Sequence, residues 1–326
     1  MAPNPLNSGP CAHCAKPATK KCGGCLTSPS YNRDDPRPTF YCSAECQKSG
    51  WKDHKAECTR RQLRKSLARA AELLKDILYR IQLHATILRI KRLEVNGSTV
   101  TIYNAEVDQN APYWLVPLDV PGEVDQTVYD AIVMHCACQD ALAYLPEFMF
   151  SLLKDLSSDI EACLVIIKNR KILLRDILPC GRPDPTIETH YIFKVTLTSG
   201  ESWALDPTGA QFGFREPLLP WDEYVTARVS EIVYERALVK DGDYENSWIK
   251  LEEVGIPGSS WVLAGLLNNL IPSLALEQEG VLSRLLEGSD EAFVSAKERF
   301  LRIVEDVVKF GMSRIRDKPI NRLEGY

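Results

Sequence analysis

Seven cysteines and the histidine His54 form a cluster within the first 58 of the 326 residues, and they constrain the fold of this chain more than any other feature of its sequence. They form four closely spaced pairs: Cys11-x2-Cys14, Cys22-x2-Cys25, Cys42-x3-Cys46 and His54-x3-Cys58. Thiolate and imidazole are preferred zinc ligands, and eight of them complete two four-coordinate sites. The pattern therefore predicts two structural zinc ions, each bound by four protein ligands with no open position.

A disulfide framework is the alternative explanation for such a cluster. Residues 1–5, Met-Ala-Pro-Asn-Pro, show no basic region and no apolar stretch of the kind that begins a secretory signal. We therefore expect an intracellular, reducing environment, in which clustered cysteines bind metal more often than they form disulfides. The nucleus and the cytoplasm remain equally open. A segment this short cannot bury a sufficient apolar core, so zinc would supply most of its folding free energy.

The stretch 41–58, which contains the third and fourth pairs, resembles the second half of a MYND-type zinc finger, and the two upstream pairs resemble its first half. The resemblance implies an interleaved arrangement, in which the first and third pairs hold one zinc and the second and fourth pairs hold the other. One departure is the stretch between Cys25 and Cys42, which is longer than is usual in the family. It contains three prolines, and we expect it to be a surface loop.

The resemblance also implies a protein-interaction module that takes short proline-rich peptides, in a groove that maps onto Gln47 and Trp51. Trp51 would offer an aromatic platform to proline rings, and Gln47 would hydrogen-bond the extended peptide backbone. Packing of Trp51 in the small core of the finger is an alternative, and both roles can coexist. Residues 1–65 carry 12 Lys and Arg against 5 Asp and Glu, which raises the possibility of nucleic acid. Seven thiolates with two Zn²⁺ contribute about −3 to that balance, so we favour a protein partner.

A hydrophobic period of 3.6 residues follows Cys58 and predicts a connecting helix within residues 61–97, with Asn96-Gly97 as its stop. Residues 98–326 are expected to form a mainly helical α+β domain with a small antiparallel sheet. In this domain the β-branched residues 99–103 predict a strand, and residues 127–177 are predicted to be helical. Apolar residues make up 45% of the chain, and no stretch approaches the roughly 20 apolar residues of a membrane span, so we expect a globular protein without a membrane segment.

A β-hairpin over residues 190–206 is the strongest strand pattern in the chain. His190 opens its first strand, and Asp206 ends its second strand. This pair resembles the His/Asp half of papain-like and transglutaminase-like folds, in which the Asp fixes the tautomer of a His that activates a cysteine. The resemblance implies a cysteine at a helix N-terminus, for which Cys138 is the best candidate and Cys136 the second.

Two observations weigh against an active site. A two-residue turn at Ser199-Gly200 would place His190 and Asp206 on opposite faces of the hairpin, whereas a three-residue turn through Glu201 would place them on the same face. Apolar residues also precede Cys138 without a helix-start pattern, so this thiol could instead lie buried and inert within a helix.

The chain as a whole, including residues 203–211 with the sequence Trp-Ala-Leu-Asp-Pro-Thr-Gly-Ala-Gln, resembles MYND-finger proteins of filamentous fungi, a resemblance that implies no activity. We therefore predict a zinc-binding adaptor or regulatory protein rather than an enzyme. The alternative is a cysteine hydrolase or acyltransferase, active or degenerate, in the large domain. Convergence of Cys138, His190 and Asp206 in a cleft would favour the alternative.

Overall fold

The computed structural model describes most of the chain, in the following ranges: 8–35, 39–106, 115–184, 189–238, 263–267, 269 and 284–316. The residue pattern also predicts a short strand over residues 113–116 and a helix over residues 259–286; half of the first and much of the second lie outside these ranges. None of the helices in these ranges is long and apolar enough to cross a bilayer.

The N-terminal region contains little regular structure and almost no apolar core. Its elements are the strand pair β1 (Gly9–Pro10) and β2 (Pro17–Ala18), the strand pair β3 (Lys20–Lys21) and β4 (Phe40–Tyr41), and helix α1 (Ala44–Ser49). The Ser43 hydroxyl caps α1 by accepting a hydrogen bond from the Cys46 backbone N–H. The buried residues of this region are mostly cysteines, which is the composition expected where metal replaces an apolar core.

Helix α2 (Trp51–His84) is 34 residues long and joins the two parts of the molecule. It starts within the predicted zinc finger, where it carries His54 and Cys58, and its apolar stripe from Leu67 onwards is fully buried against the large domain. The predicted helix up to residue 97 was too long at its C-terminal end. Asn96-Gly97 does not stop a helix: Asn96 ends β5 (Ile90–Asn96), and Gly97-Ser98 is the two-residue turn to β6 (Thr99–Asn104), in which Gly97 supplies the positive φ.

The large domain is α+β, as predicted, but its described part contains more strand than a mainly helical domain would have. Three short helices, α3 (Gln126–Val133), α4 (Ala137–Tyr144) and α5 (Pro146–Leu153), precede the strands β7 (Ser157–Ile167) and β8 (Leu173–Ile177). The helical prediction for residues 127–177 was therefore wrong beyond α5. Strand β7 lies between β9 and β12 in its sheet and is apolar on both faces from Ala162 onwards, so it lacks the alternation that identifies a strand.

The second half of the domain completes a five-stranded antiparallel sheet in the order β11-β10-β9-β7-β12. The remaining elements are β9 (Thr189–Leu197), β10 (Ser202–Leu205), β11 (Leu218–Pro220), α6 (Trp221–Arg228), β12 (Val229–Ala237) and α7 (Asp290–Arg316). One face of this sheet joins the core that contains α2, α4 and α5, and the other packs against α6. A smaller sheet, β5-β6-β8, contains the parallel pair β6 and β8, which the prediction of an antiparallel sheet missed.

The hairpin of β9 and β10 has a register that differs from both predicted turns. Phe193 pairs with Leu205, and a three-residue loop, Thr198-Ser199-Gly200, joins Leu197 to Glu201. This loop lies one residue earlier than the predicted three-residue turn. Because the loop still has three residues, His190 and Asp206 lie on the same face of the hairpin, as the predicted three-residue turn would also place them.

The long loop of the N-terminal region docks on this hairpin instead of extending into solvent. The Tyr31 ring lies 5.3 Å from the Trp203 ring, centroid to centroid, and the Tyr31 hydroxyl accepts a hydrogen bond from Ser202 N. Arg64 of α2 is 2% exposed and bonds both Asp35 in the loop and Glu201 in the hairpin, with distances of 2.6–3.1 Å. Contacts that bury a charged group therefore connect the N-terminal region to the sheet.

Candidate functional site

The first and third cysteine pairs converge on one point in the N-terminal region. The sulfur atoms of Cys14, Cys42 and Cys46 lie 3.4–3.7 Å apart, and Cys11 completes a group whose ligand atoms all lie within 4.8 Å of one another. Four sulfurs around a tetrahedral zinc, each about 2.3 Å from it, are separated by about 3.8 Å. These four thiolates therefore fit one zinc ion.

The second and fourth pairs form a separate group of four buried ligands: Cys22, Cys25, His54 and Cys58. The Cys22 and Cys58 sulfurs are 3.7 Å apart, and the Cys25 sulfur lies 3.2 Å from His54 Nε2. The interleaved arrangement that the family resemblance implied is the one present here. Four protein ligands leave no position for water or substrate, so both zinc ions are structural.

Groups around the second zinc site fix the orientation of its ligands. Thr39 Oγ1 lies 3.2 Å from His54 Nδ1, which leaves Nε2 for the metal. The Gln47 amide nitrogen donates to Cys22 Sγ at 3.7 Å. Position 24 has no room for a side chain, because a Cβ there would lie 2.8 Å from Cys58 Sγ.

The two residues predicted to line a peptide groove have different environments. Trp51 is 39% exposed at the start of α2, with its ring edge-on to His54 at 6.1 Å between centroids, so much of its surface is open to a partner. Gln47 is half-buried, and its amide N–H faces a zinc thiolate. Its side-chain carbonyl is then the atom left for a peptide backbone.

In the large domain, His190 and Asp206 form a buried pair at the start of β9 and the end of β10. His190 Nε2 lies 3.0 Å from Asp206 Oδ1, and the exposed fractions of the two residues are 0% and 2%. The Tyr224 hydroxyl donates to Asp206 Oδ2 at 2.7 Å and so satisfies the second carboxylate oxygen. Gly209 allows this geometry, because a Cβ there would lie 2.6 Å from Asp206 Oδ2.

Cys138 is the second residue of α4 and lies beside this pair. Asp206 contacts Nε2 of His190, so Nδ1 is the ring nitrogen that can interact with the Cys138 thiol. The Gln211 amide nitrogen also lies 3.3 Å from His190 Nδ1. Cys138 also lines a cavity of about 180 Å³ with Tyr191, Gln211 and Phe212. The first N–H groups of a helix have no intrahelical acceptor, which makes the start of α4 a favourable place for negative charge.

The surroundings of His190 favour its protonated form. Burial lowers the pKa of this imidazole, but the charge and hydrogen bond of Asp206 and the interaction with the Cys138 side chain outweigh it and raise the pKa of His190 to about 9. Burial raises the pKa of Asp206, but His190 and the Tyr224 hydroxyl more than offset this, and the pKa of Asp206 is lowered. Both shifts favour an imidazolium paired with a carboxylate.

A second set of polar residues lies on the wall of the same cavity. His135 Nε2 is 2.5 Å from Asp176 Oδ2, and the exposed Cys136 thiol lies 3.7–3.8 Å from both ring nitrogens of His135. Sequence reasoning did not assign a role to His135, Asp176 or Tyr224. No local pattern links them to their partners, because His135 and Asp176 are 41 residues apart and Tyr224 lies 18 residues from Asp206.

Comparison with known proteins identifies the N-terminal region only. Residues 11–58 match the family model of the MYND finger. Neither the curated proteins nor the solved structures gave a match to the chain. The ligand geometry and the family match together make residues 11–58 a zinc-binding MYND finger with two zinc sites, and fingers of this family mediate protein–protein interaction. The resemblance of the whole chain to fungal MYND-finger proteins stays a prediction.

Proposed function

We propose that the large domain is a cysteine-dependent hydrolase or acyltransferase, and that the MYND finger recruits its protein partners. The sequence alone favoured an interaction protein without an active site. The observation that reverses this preference is the interaction of Cys138, which lines the cavity, with His190, whose other ring nitrogen meets Asp206. Burying an ionisable His–Asp pair costs free energy. Groups with shifted pKa values also cluster at functional sites, so this pair supports a functional role.

The chemistry that these groups support is acyl transfer through a thioester. Asp206 holds Nε2 of His190, so the proton shared between Cys138 Sγ and His190 lies on Nδ1 when the sulfur attacks. The sulfur forms a bond to the acyl carbon, and His190 gives the proton to the departing amine or alcohol. Water, or another nucleophile, then attacks the thioester, and its proton returns to the sulfur through His190.

The test uses the full-length, zinc-loaded protein, because the finger loop contacts the hairpin that carries Asp206. Iodoacetamide alkylation is followed for each cysteine by peptide mass, with buried Cys163 and exposed Cys180 as internal references. We expect Cys138 to react faster than either reference, and His190→Gln to slow it at least tenfold. Labelling of Cys138 that is no faster than that of Cys163, or that does not depend on His190, contradicts the proposal.

For the finger, we propose that the recruited partners carry proline-rich segments. The exposed Trp51 indole beside the second zinc site supports this, because an aromatic face is the surface on which proline rings pack. The charge of residues 1–65 does not favour nucleic acid once the zinc thiolates are counted.

Titration of a labelled proline-rich peptide into the protein tests this part. Trp51→Ala should weaken binding by a factor of about 30, the equivalent of the ~2 kcal/mol that a hot-spot aromatic contributes. Zinc content should stay at two, because Trp51 is not a ligand. Exposed Lys52→Ala is the matched control from the next position in α2. Simultaneous loss of zinc and peptide would make Trp51 a core residue and refute the groove.

A further inference from the structure

We propose that His135 is a further catalytic residue of the thiol site, and that its Nδ1–H stabilises the oxyanion formed when Cys138 attacks an acyl group. This inference rests on the acyl-transfer function proposed above. Such an attack places a full negative charge on the former carbonyl oxygen, and preorganised donors aimed at that charge are a major source of catalysis.

His135 reaches the cavity because of an unusual turn. Only Met134, His135 and Cys136 separate α3 from α4, and Cys136 adopts the left-handed conformation, with φ of 60°. A cysteine in this conformation is unfavourable, and such residues are concentrated at functional sites. The turn brings His135 and Cys138 to the wall of the same cavity, although His135 remains only 8% exposed.

Asp176 holds the His135 ring in one orientation. Its Oδ2 lies 2.5 Å from His135 Nε2, and its Oδ1 accepts a hydrogen bond from Asn104 Nδ2 at 3.1 Å. Burial opposes the charged imidazole, but the Cys136 side chain and the hydrogen-bonded Asp176 carboxylate outweigh it and raise the pKa of His135 to about 10. The contact with Asp176 and the raised pKa favour the imidazolium, which carries a proton on each nitrogen.

The Nδ1–H of this imidazolium lacks a strong acceptor in the described part of the chain. Its contact there is Cys136 Sγ at 3.8 Å, at the outer limit for a hydrogen bond to sulfur. A buried donor without a good acceptor is costly, and a ligand oxygen in the cavity would satisfy it. Gln211, another donor on the cavity wall, already bonds Thr208 O and faces His190. Gln139 and Arg170 also line the cavity and are the residues to compare with His135.

Two reactions at Cys138 separate this role from a structural one. Acetylation by p-nitrophenyl acetate passes through an oxyanion, whereas alkylation by iodoacetamide displaces iodide and forms none. Both are measured on the full-length, zinc-loaded protein, with modification of Cys138 identified by peptide mass. We expect His135→Gln to lower the acetylation rate at least 100-fold, the loss typical of an oxyanion donor, and to change alkylation less than twofold.

Variants of His135, its partner Asp176 and another residue of the same cavity wall provide the controls. His135→Gln combined with Asp176→Asn avoids leaving a buried carboxylate unpaired, and it should show the same selective loss of acetylation. Gln139→Ala, which removes another polar side chain from the cavity wall, should keep the acetylation rate within about threefold. Equal losses of the acetylation and alkylation rates in both His135 variants would show a structural role for His135 and overturn the inference. A selective loss of acetylation in Gln139→Ala, with none in the His135 variants, would also overturn it. Acetylation that persists in Cys138→Ser contradicts the proposed function itself, and the role of His135 with it.

Discussion

Replacing Arg64 by Met should destabilise the whole protein, because this side chain neutralises two carboxylates that belong to different parts of the fold. Its guanidinium donates to Asp35 Oδ2 at 2.6 Å and to Asp35 Oδ1 at 3.1 Å, and to Glu201 at 2.8 Å and 2.6 Å. The Arg64 side chain is 2% exposed, and the side chains of its partners are 12% and 10% exposed. Methionine would fill most of the volume but would remove the bidentate partner of Asp35 and leave Glu201 with the more distant Arg60, at 4.0 Å.

The expected loss is about 3 kcal/mol of unfolding free energy, the lower end of the range for breaking a buried ion pair from one side, because both carboxylates keep some access to water. Arg60 offers a matched control. It is 44% exposed, 3.1 Å from Glu57 and 4.0 Å from Glu201, so Arg60→Met should cost less than 1 kcal/mol. Adding Asp35→Asn and Glu201→Gln to Arg64→Met should recover part of the loss, since no unpaired charge then remains.

Urea unfolding of the zinc-loaded protein, followed by far-UV circular dichroism, measures these differences. The reasoning predicts a lower midpoint for Arg64→Met with an unchanged denaturant slope, which would indicate lost stability without a change in the surface exposed. If Arg64→Met costs no more than Arg60→Met, the bridge contributes nothing to the fold. If the triple variant is less stable than Arg64→Met, unpaired charge is not the cause of the loss.

Three other predictions concern the metal and the thiol site. Elemental analysis should find two zinc ions per chain, and Cys22→Ser should lower that number and unfold the finger. Gly209→Ala should displace the Asp206 carboxylate, which lies 2.6 Å from the new Cβ position, and should slow Cys138 alkylation without changing zinc content. The pKa of His190 is about 9 in the fold and about 6.5 in the unfolded chain. Its contribution to stability is therefore complete below pH 6.5 and is lost as the pH rises to 9. The free energy of unfolding, measured by urea titration, should differ less between pH 6 and pH 9.5 in His190→Gln than in the unsubstituted protein.

The zinc ligands could be predicted from the sequence because their chemistry is local. Each pair is three or four positions apart, and a thiolate has few roles other than metal binding at that density. The interleaving of the pairs is a long-range property, and it was available only through the family resemblance. The structure has the same pairing.

The large domain was harder to predict because its decisive contacts are distant in sequence. The alternation that marks a half-buried strand is absent from β7, since both of its faces are covered. His190 and Asp206 were recognised as a pair, but their shared face depended on a turn whose position differs by one residue from the prediction. His135 and Asp176 are 41 residues apart, on a helix connection and on a strand of the parallel pair, so no local pattern links them.

The unusual length of the stretch between Cys25 and Cys42 is explained by what its described part contacts. Tyr31 covers Trp203, and Asp35 shares Arg64 with Glu201, so this loop completes the surface of the β9–β10 hairpin. A shorter connection could still complete both zinc sites, because no ligand lies within the loop. The extra residues therefore serve the contact with the large domain. The same strand, β10, binds the finger loop through Trp203 and ends next to Asp206, so the metal-dependent fold of the finger and the position of the thiol site depend on one element.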